Sequence, residues 1–185
     1  MAPTAANYSS LGSALMLAGK YNDAVDMNKK ALDLNSDDYQ SWGNLAGAYQ
    51  WGGSRDKAKS AYDKAIALAE AERSKTPDNS PLLVALAGYY ASIGNADRSI
   101  PLIRKALARS PEDPFIAYRA GEAYELLGQR DKAIPLIAQA LAQGYDASEF
   151  ERSPELASLR ADVAFQVALT KAKQKNVVDT GKKTN

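Results

Sequence analysis

The side chains here that could do chemistry are carboxylates, lysines, arginines, tyrosines and hydroxyls, because the chain has no histidine and no cysteine. That removes imidazole acid-base catalysis, thiol nucleophiles, disulfides and the usual zinc sites. The carboxylates with a clear local role, Asp37, Asp38, Asp97 and Asp131, fall at expected helix starts. There a carboxylate accepts backbone hydrogen bonds and complements the helix dipole, so capping accounts for them without catalysis. No GxxxxGK[ST] loop, GxSxG elbow or calcium-loop spacing occurs. Lys plus Arg number 23 against 22 Asp plus Glu, so no global field draws nucleic acid. The expectation is a chain without enzymatic activity, cofactor or metal, whose work is recognition of a protein or peptide and which binds neither nucleic acid nor membrane.

No apolar run approaches the roughly 20 residues a bilayer span requires. MAPTAANYSS has no basic start followed by an apolar segment, so no secretion signal is read and a cytoplasmic home is expected.

What would position such residues is a repeated pair of helices. SWGNLAGAYQWGG, residues 41 to 53, sets Trp42, Leu45, Ala46 and Tyr49 at helical spacing and closes on paired glycines. Gly19 to Gly53, Ala24 to Ala58 and Ala31 to Ala65 are each 34 residues apart, as are Tyr90 to Tyr124, Gly94 to Gly128 and Ala106 to Ala140. Tyr49 to Tyr90, Gly53 to Gly94 and Ala65 to Ala106 are 41 apart, an excess of seven. Seven residues add about 10 Å of helix, and RDKAKSAYDKAIALAEAERSK has the apolar spacing to absorb them in one overlong helix ending near Thr76-Pro77. The recurring glycines suit a left-handed position between two helices. Ser80-Pro81, Asp113-Pro114 and Ser153-Pro154 read as helix starts, with a capping oxygen before a proline.

These residues resemble the tetratricopeptide repeat family, whose pattern is an aromatic, Leu, a small residue, Tyr, an interhelical Gly, Ala, an aromatic, Ala and Pro. Trp42, Leu45, Ala46, Tyr49, Ala58, Tyr62 and Ala65 fall in register in the second unit, and the likeness spans roughly residues 5 to 144. It implies an all-α solenoid, a right-handed superhelix of four helix pairs at 5–38, 39–79, 80–113 and 114–147, after a leader at 1–4. It also implies a concave wall made by the first helix of each unit. Carried over from the family, the wall holds Ser9, Ser13, Met16 and Leu17, then Gln40, Asn44, Gly47, Gln50 and Trp51, then Val84, Gly88 and Ala91, and last Phe115, Tyr118, Arg119, Glu122 and Glu125. The expected peptide-binding groove is Gln40, Asn44, Gly47, Gln50, Trp51, Tyr118, Arg119 and Glu122, a mostly uncharged set. The carboxylate clamp of one subgroup of the family is absent, since only Asn44 matches it.

Residues 148–173 are expected to cap the array, with Phe165, Leu169 and Ala172 on one helical face, and 174–185 to be an unstructured tail. LRADVAF resembles the closing segment of such arrays in bacterial multidomain kinases and cyclases, keeping Leu159, Arg160, Asp162 and Phe165 but with Val163 where that pattern has proline. Two alternatives to peptide binding follow: a structural module that joins copies of itself into a homo-oligomer, or a regulatory appendage of an enzyme domain absent from this chain.

Overall fold

The computed structural model of the chain describes residues 2–182, with side chains described as far as residue 174. It is all-α, with no strand among the described residues, as the repeat pattern leads one to expect. The chain divides into two compact units, Met1–Pro77 and Asp78–Asn185. In the first, α1 (Ala5–Leu17) pairs with α2 (Tyr21–Leu34), α3 (Tyr39–Trp51) pairs with α4 (Arg55–Lys75), and α2 packs on α3. In the second, α5 (Ser80–Ser92) pairs with α6 (Ala96–Arg109) and α7 (Pro114–Leu126) with α8 (Arg130–Ala142); α7 also packs on α5 and α6. No described helix is long and apolar enough to cross a membrane.

The turns within pairs are set by glycine. Gly53 has φ +80, a left-handed conformation that costs other residues strain, and Gly19, Gly94 and Gly128 repeat it. The amide of Lys20 then donates to the Leu15 carbonyl at 2.9 Å and that of Gly19 to Met16 at 3.0 Å. The same six-residue closure recurs from Ser54 to Tyr49, Asn95 to Tyr90 and Gln129 to Tyr124, so each first helix ends with its last carbonyls satisfied. Paired helices approach closely where side chains are small. Ala46 and Ala133 are fully buried, and a Cβ on Gly121 would stand 2.5 Å from Ile137 Cγ1.

Of the carboxylates expected to cap helices, Asp38 does so, whereas Asp37 is not an N-cap and Asp97 and Asp131 stand in the first turns of α6 and α8, where the N-caps are Asn95, through its side chain, and Gln129, without a side-chain bond. Asp38 accepts from the Gln40 and Ser41 amides, and Asp113 from Phe115 and Ile116. At α5 the cap is Asn79, not Ser80: its Oδ1 accepts from the Leu82 amide at 3.0 Å, which draws Ser80 into the helix, buried, with the Ser110 hydroxyl 2.9 Å away. The overlong helix is α4, whose C-cap is Thr76. Pro101 and Pro135 sit inside α6 and α8 without ending either.

The last segment differs from the single helix read at Ser153-Pro154. It comprises α9 (Ala147–Arg152), a 3-10 turn at Pro154–Leu156, α10 (Ala157–Arg160) and α11 (Val163–Lys182). Pro154 has no amide to donate, and Arg160 Nη1 instead takes the carbonyls of Phe150 at 2.9 Å and Ser153 at 2.7 Å. Asp162 then caps α11 through the Ala164 amide at 2.8 Å. Phe150, Leu156, Leu159 and Phe165 are buried, with the two rings 5.0 Å apart, while Leu169 is only half-buried. α11 packs against α8. It also runs through residues 174–182, where an unstructured tail was expected, because no proline follows Pro154 to stop it. Residues 183–185 of that expected tail lie outside the described residues.

Candidate functional site

Five of the expected groove residues lie on α3 in the first unit. Gln40 is exposed in the first turn, and Asn44, Gln50 and Trp51 are half-buried along the helix. Asn44 is the centre of this face. Its Nδ2 donates to the hydroxyls of Ser9 at 3.2 Å and Ser13 at 3.1 Å on α1, and Ser13 in turn donates to the Ser9 carbonyl at 3.2 Å. The result is a neutral cluster of donors and acceptors across α1 and α3. Gly47, expected to line the groove, is buried. A Cβ there would lie 3.2 Å from Met16 Sδ, because the Met16 thioether from α1 has filled the space.

Tyr118, Arg119 and Glu122 lie on α7 in the second unit, and here the structure corrects the expectation. Tyr118 is fully buried, not on a ligand-facing wall, and stacks on Tyr145 with ring centroids 4.1 Å apart. Its repeat position explains this: Gly43 and Val84 stand in the same register, and both are buried. Burial pushes the Tyr118 phenol above its ordinary range, with the Glu122 and Glu149 charges adding to the effect. Glu122 is also buried, at 8% exposure, and Arg119 Nη1 bonds its carboxylate at 2.7 Å. Burial pushes the Glu122 carboxyl up to about 7, against the opposing pull of the Arg119 charge. Arg119 further reaches Glu149 at 3.4 Å and lies over the Phe115 ring, 5.7 Å from its centroid.

Tyr118 and Glu122 on α7 are therefore covered by the chain's own residues, while Phe115 and Arg119 stay exposed. Tyr145 donates from its hydroxyl to Glu149 at 2.7 Å, and Ser153 from its hydroxyl to Glu155 at 2.8 Å and to Glu122 at 3.4 Å. Glu125 is held by Arg130 and Ser158, and Arg130 reaches Asp162 at 3.3 Å. Tyr145, Glu149, Ser153 and Glu155 were missed by the sequence reading. A signal was present: one further 34-residue step from the cap at Asp113 lands on Ala147, the first residue of α9. On the neighbouring α5, Val84 and Ala91 are buried, and Gly88 alone is open, with nothing within 4 Å of a built Cβ.

Leu159, Arg160, Asp162 and Phe165, which carry the resemblance to a closing segment, all have structural partners: two are buried, one satisfies free carbonyls and one caps α11.

Tetratricopeptide repeat models match residues 4–35, 39–72 and 94–163. No curated protein matches the chain. Among solved structures, it is similar to a crystal structure of MamA, with 26% identity over 75% of this chain and 77% of that one, at a TM-score of 0.42. It is also similar to TTC0263, a thermophilic TPR protein in Thermus thermophilus, with 21% identity over 90% of this chain and 100% of that one, TM-score 0.43. A third is YrrB, a TPR protein with an unusual peptide-binding site, at 17% identity over 96% and 92%, TM-score 0.43.

Proposed function

This chain carries tetratricopeptide repeats, and we propose that it is a non-catalytic protein-interaction module whose α1–α3 face takes up an extended peptide or a partner helix. The observation that carries this reading is the environment of Asn44. Both of its bonds to α1 use Nδ2, so Oδ1 is left to accept from a ligand's backbone amide. The two serine hydroxyls fix the orientation of the amide, which lowers the ordering cost of binding. Gln40 and Gln50 extend the polar strip along α3, and the half-buried Trp51 adds apolar area at its end. None of these groups is charged, so affinity rests on neutral hydrogen bonds and aromatic contact.

Arg119, Glu122 and Tyr118 do not belong to this binding face, because they are engaged by the chain's own Tyr145, Glu149 and Ser153. The test is a peptide library presented to the whole chain, followed by fluorescence anisotropy of a selected peptide. Asn44→Ala and Trp51→Ala are expected to weaken binding by about ten-fold or more, with unchanged circular dichroism. Raising salt should change the affinity of the parent only modestly. Parent-like affinity in both variants would remove the α1–α3 face from consideration.

A further inference from the structure

Within the second unit, the last repeat helix and the closing segment leave a cleft of about 330 Å³ between them, walled by Leu141 of α8, Phe150 of α9 and Leu169 of α11. That volume lies at the small end of the range for ligand sites. Two cations also line it, Arg160 of α10 and Lys173 of α11.

The Arg160 guanidinium is half-buried and held in place through Nη1, which donates to the carbonyls of Phe150 at 2.9 Å and Ser153 at 2.7 Å. Those bonds orient it without bringing a negative charge, and among the described residues Nε and Nη2 make no hydrogen bond. The other half-buried cations of this unit each hold a carboxylate: Lys105 takes Asp78 at 3.1 Å and Arg130 takes Asp162 at 3.3 Å. Arg160 forms no ion pair among the described residues, and neither does the exposed Lys173, although Glu151 stands on the same cleft. A guanidinium partly withdrawn from water and left without a counter-charge favours an anion beside it. Its fork of donors matches the two oxygens of a carboxylate, and the apolar walls favour a ligand whose charge is carried on a hydrocarbon body.

We propose that this cleft binds a monocarboxylate with a short aliphatic or aromatic body, its carboxylate on Arg160 and Lys173 and its body against Leu141, Phe150 and Leu169. The site uses no residue of the α1–α3 face and stands apart from the peptide-binding reading.

An NMR titration of the whole isotope-labelled chain tests it, with octanoate, octanol and acetate as probes. Octanoate is expected to shift the amides of Phe150, Arg160, Leu169 and Lys173. It should bind at least about ten-fold more tightly than octanol, which lacks the charge, or acetate, which lacks the body. Lys173→Glu, at an exposed site, should weaken octanoate by about ten-fold with unchanged circular dichroism. Arg160→Lys keeps the charge without the fork and should weaken it by a similar factor; Lys173→Glu and the probe series keep the test decisive should that variant fail to fold. Acetylated Phe-Leu, with its terminus free or amidated, separates the two sources of such a carboxylate. Binding of the free form alone marks a peptide C-terminus, and octanoate binding without it marks a free acid. Octanol or acetate binding as tightly as octanoate, octanoate causing no shift at these amides, or undiminished binding to Lys173→Glu would each overturn the proposal.

Discussion

Asn44 and Arg119 occupy the same repeat position in the two units. Asn44 sits between two serine hydroxyls and keeps an acceptor free, whereas Arg119 sits between the carboxylates of Glu122 and Glu149. One register therefore yields a neutral, half-buried side chain in the first unit and an exposed, ion-paired one in the second. The difference lies in what each helix meets. α3 looks back on the serines and Met16 of α1, while α7 is overlaid by residues 145 to 155, which bring an aromatic ring and two further carboxylates. The repeat sets where a side chain stands, and its neighbours set what it can do.

The sharpest way to break this contrast is to remove the covering segment. A chain stopped after Gly144 loses Phe150, Leu156, Leu159 and Phe165, all buried, and exposes Tyr118. At about 1.5–3 kcal/mol for each buried side chain, Tm should fall by at least about 10 °C in a calorimetric scan. An unchanged scan would mean that Tyr118 and Glu122 are not covered in solution. A narrower change, Phe165→Ala, is expected to cost about 3–5 kcal/mol, since the ring is fully enclosed and packs on Phe150. Urea titration reads that loss.

Glu122 supplies a pH signature of the second unit. Its carboxyl is held up to about 7 in the fold against an ordinary value of 4.5, so the folded chain binds that proton more tightly than the unfolded one. The contribution to stability is fully present below pH 4.5 and is lost as pH rises through about 7, a drop of up to about 3 kcal/mol. Glu122→Gln should flatten that part of the profile in urea melts taken from pH 4.5 to 8. A variant that retains the slope would assign the titration to other groups. The smallest expected effect on stability belongs to Asn44→Ala, about 1 kcal/mol or less for two part-buried neutral bonds. A loss several times larger would make Asn44 a structural pin and would weaken its assignment to binding.

Much of the fold is legible in the sequence because it depends on local rules. The 34-residue step, the glycine between helices, the seven-residue lengthening of α4 and the caps at Asp38 and Asp113 each follow from spacing or from one residue's backbone preference. The candidate site is only half legible. Asn44, Gly47, Tyr118 and Glu122 are all read from the sequence as groove residues, yet Met16 packs against Gly47, and Tyr118 and Glu122 are buried. A register carried over from a family assigns a position to a face without saying which side chain comes across to meet it.

The sequence by itself determines the all-helical repeat, the lack of imidazole and thiol chemistry and the neutral character of α1 and α3, since composition and periodicity act through short-range backbone and solvation effects. Only the tertiary structure decides which partners each copy of a repeat position meets. Tyr145 comes to stack on Tyr118 across 27 residues of chain, Glu149 to pair with Arg119 across 30, and Leu11 to stand in water where Leu45 does not. Those outcomes depend on the presence or absence of a neighbouring helix, and burial is a property of the assembled packing rather than of any residue.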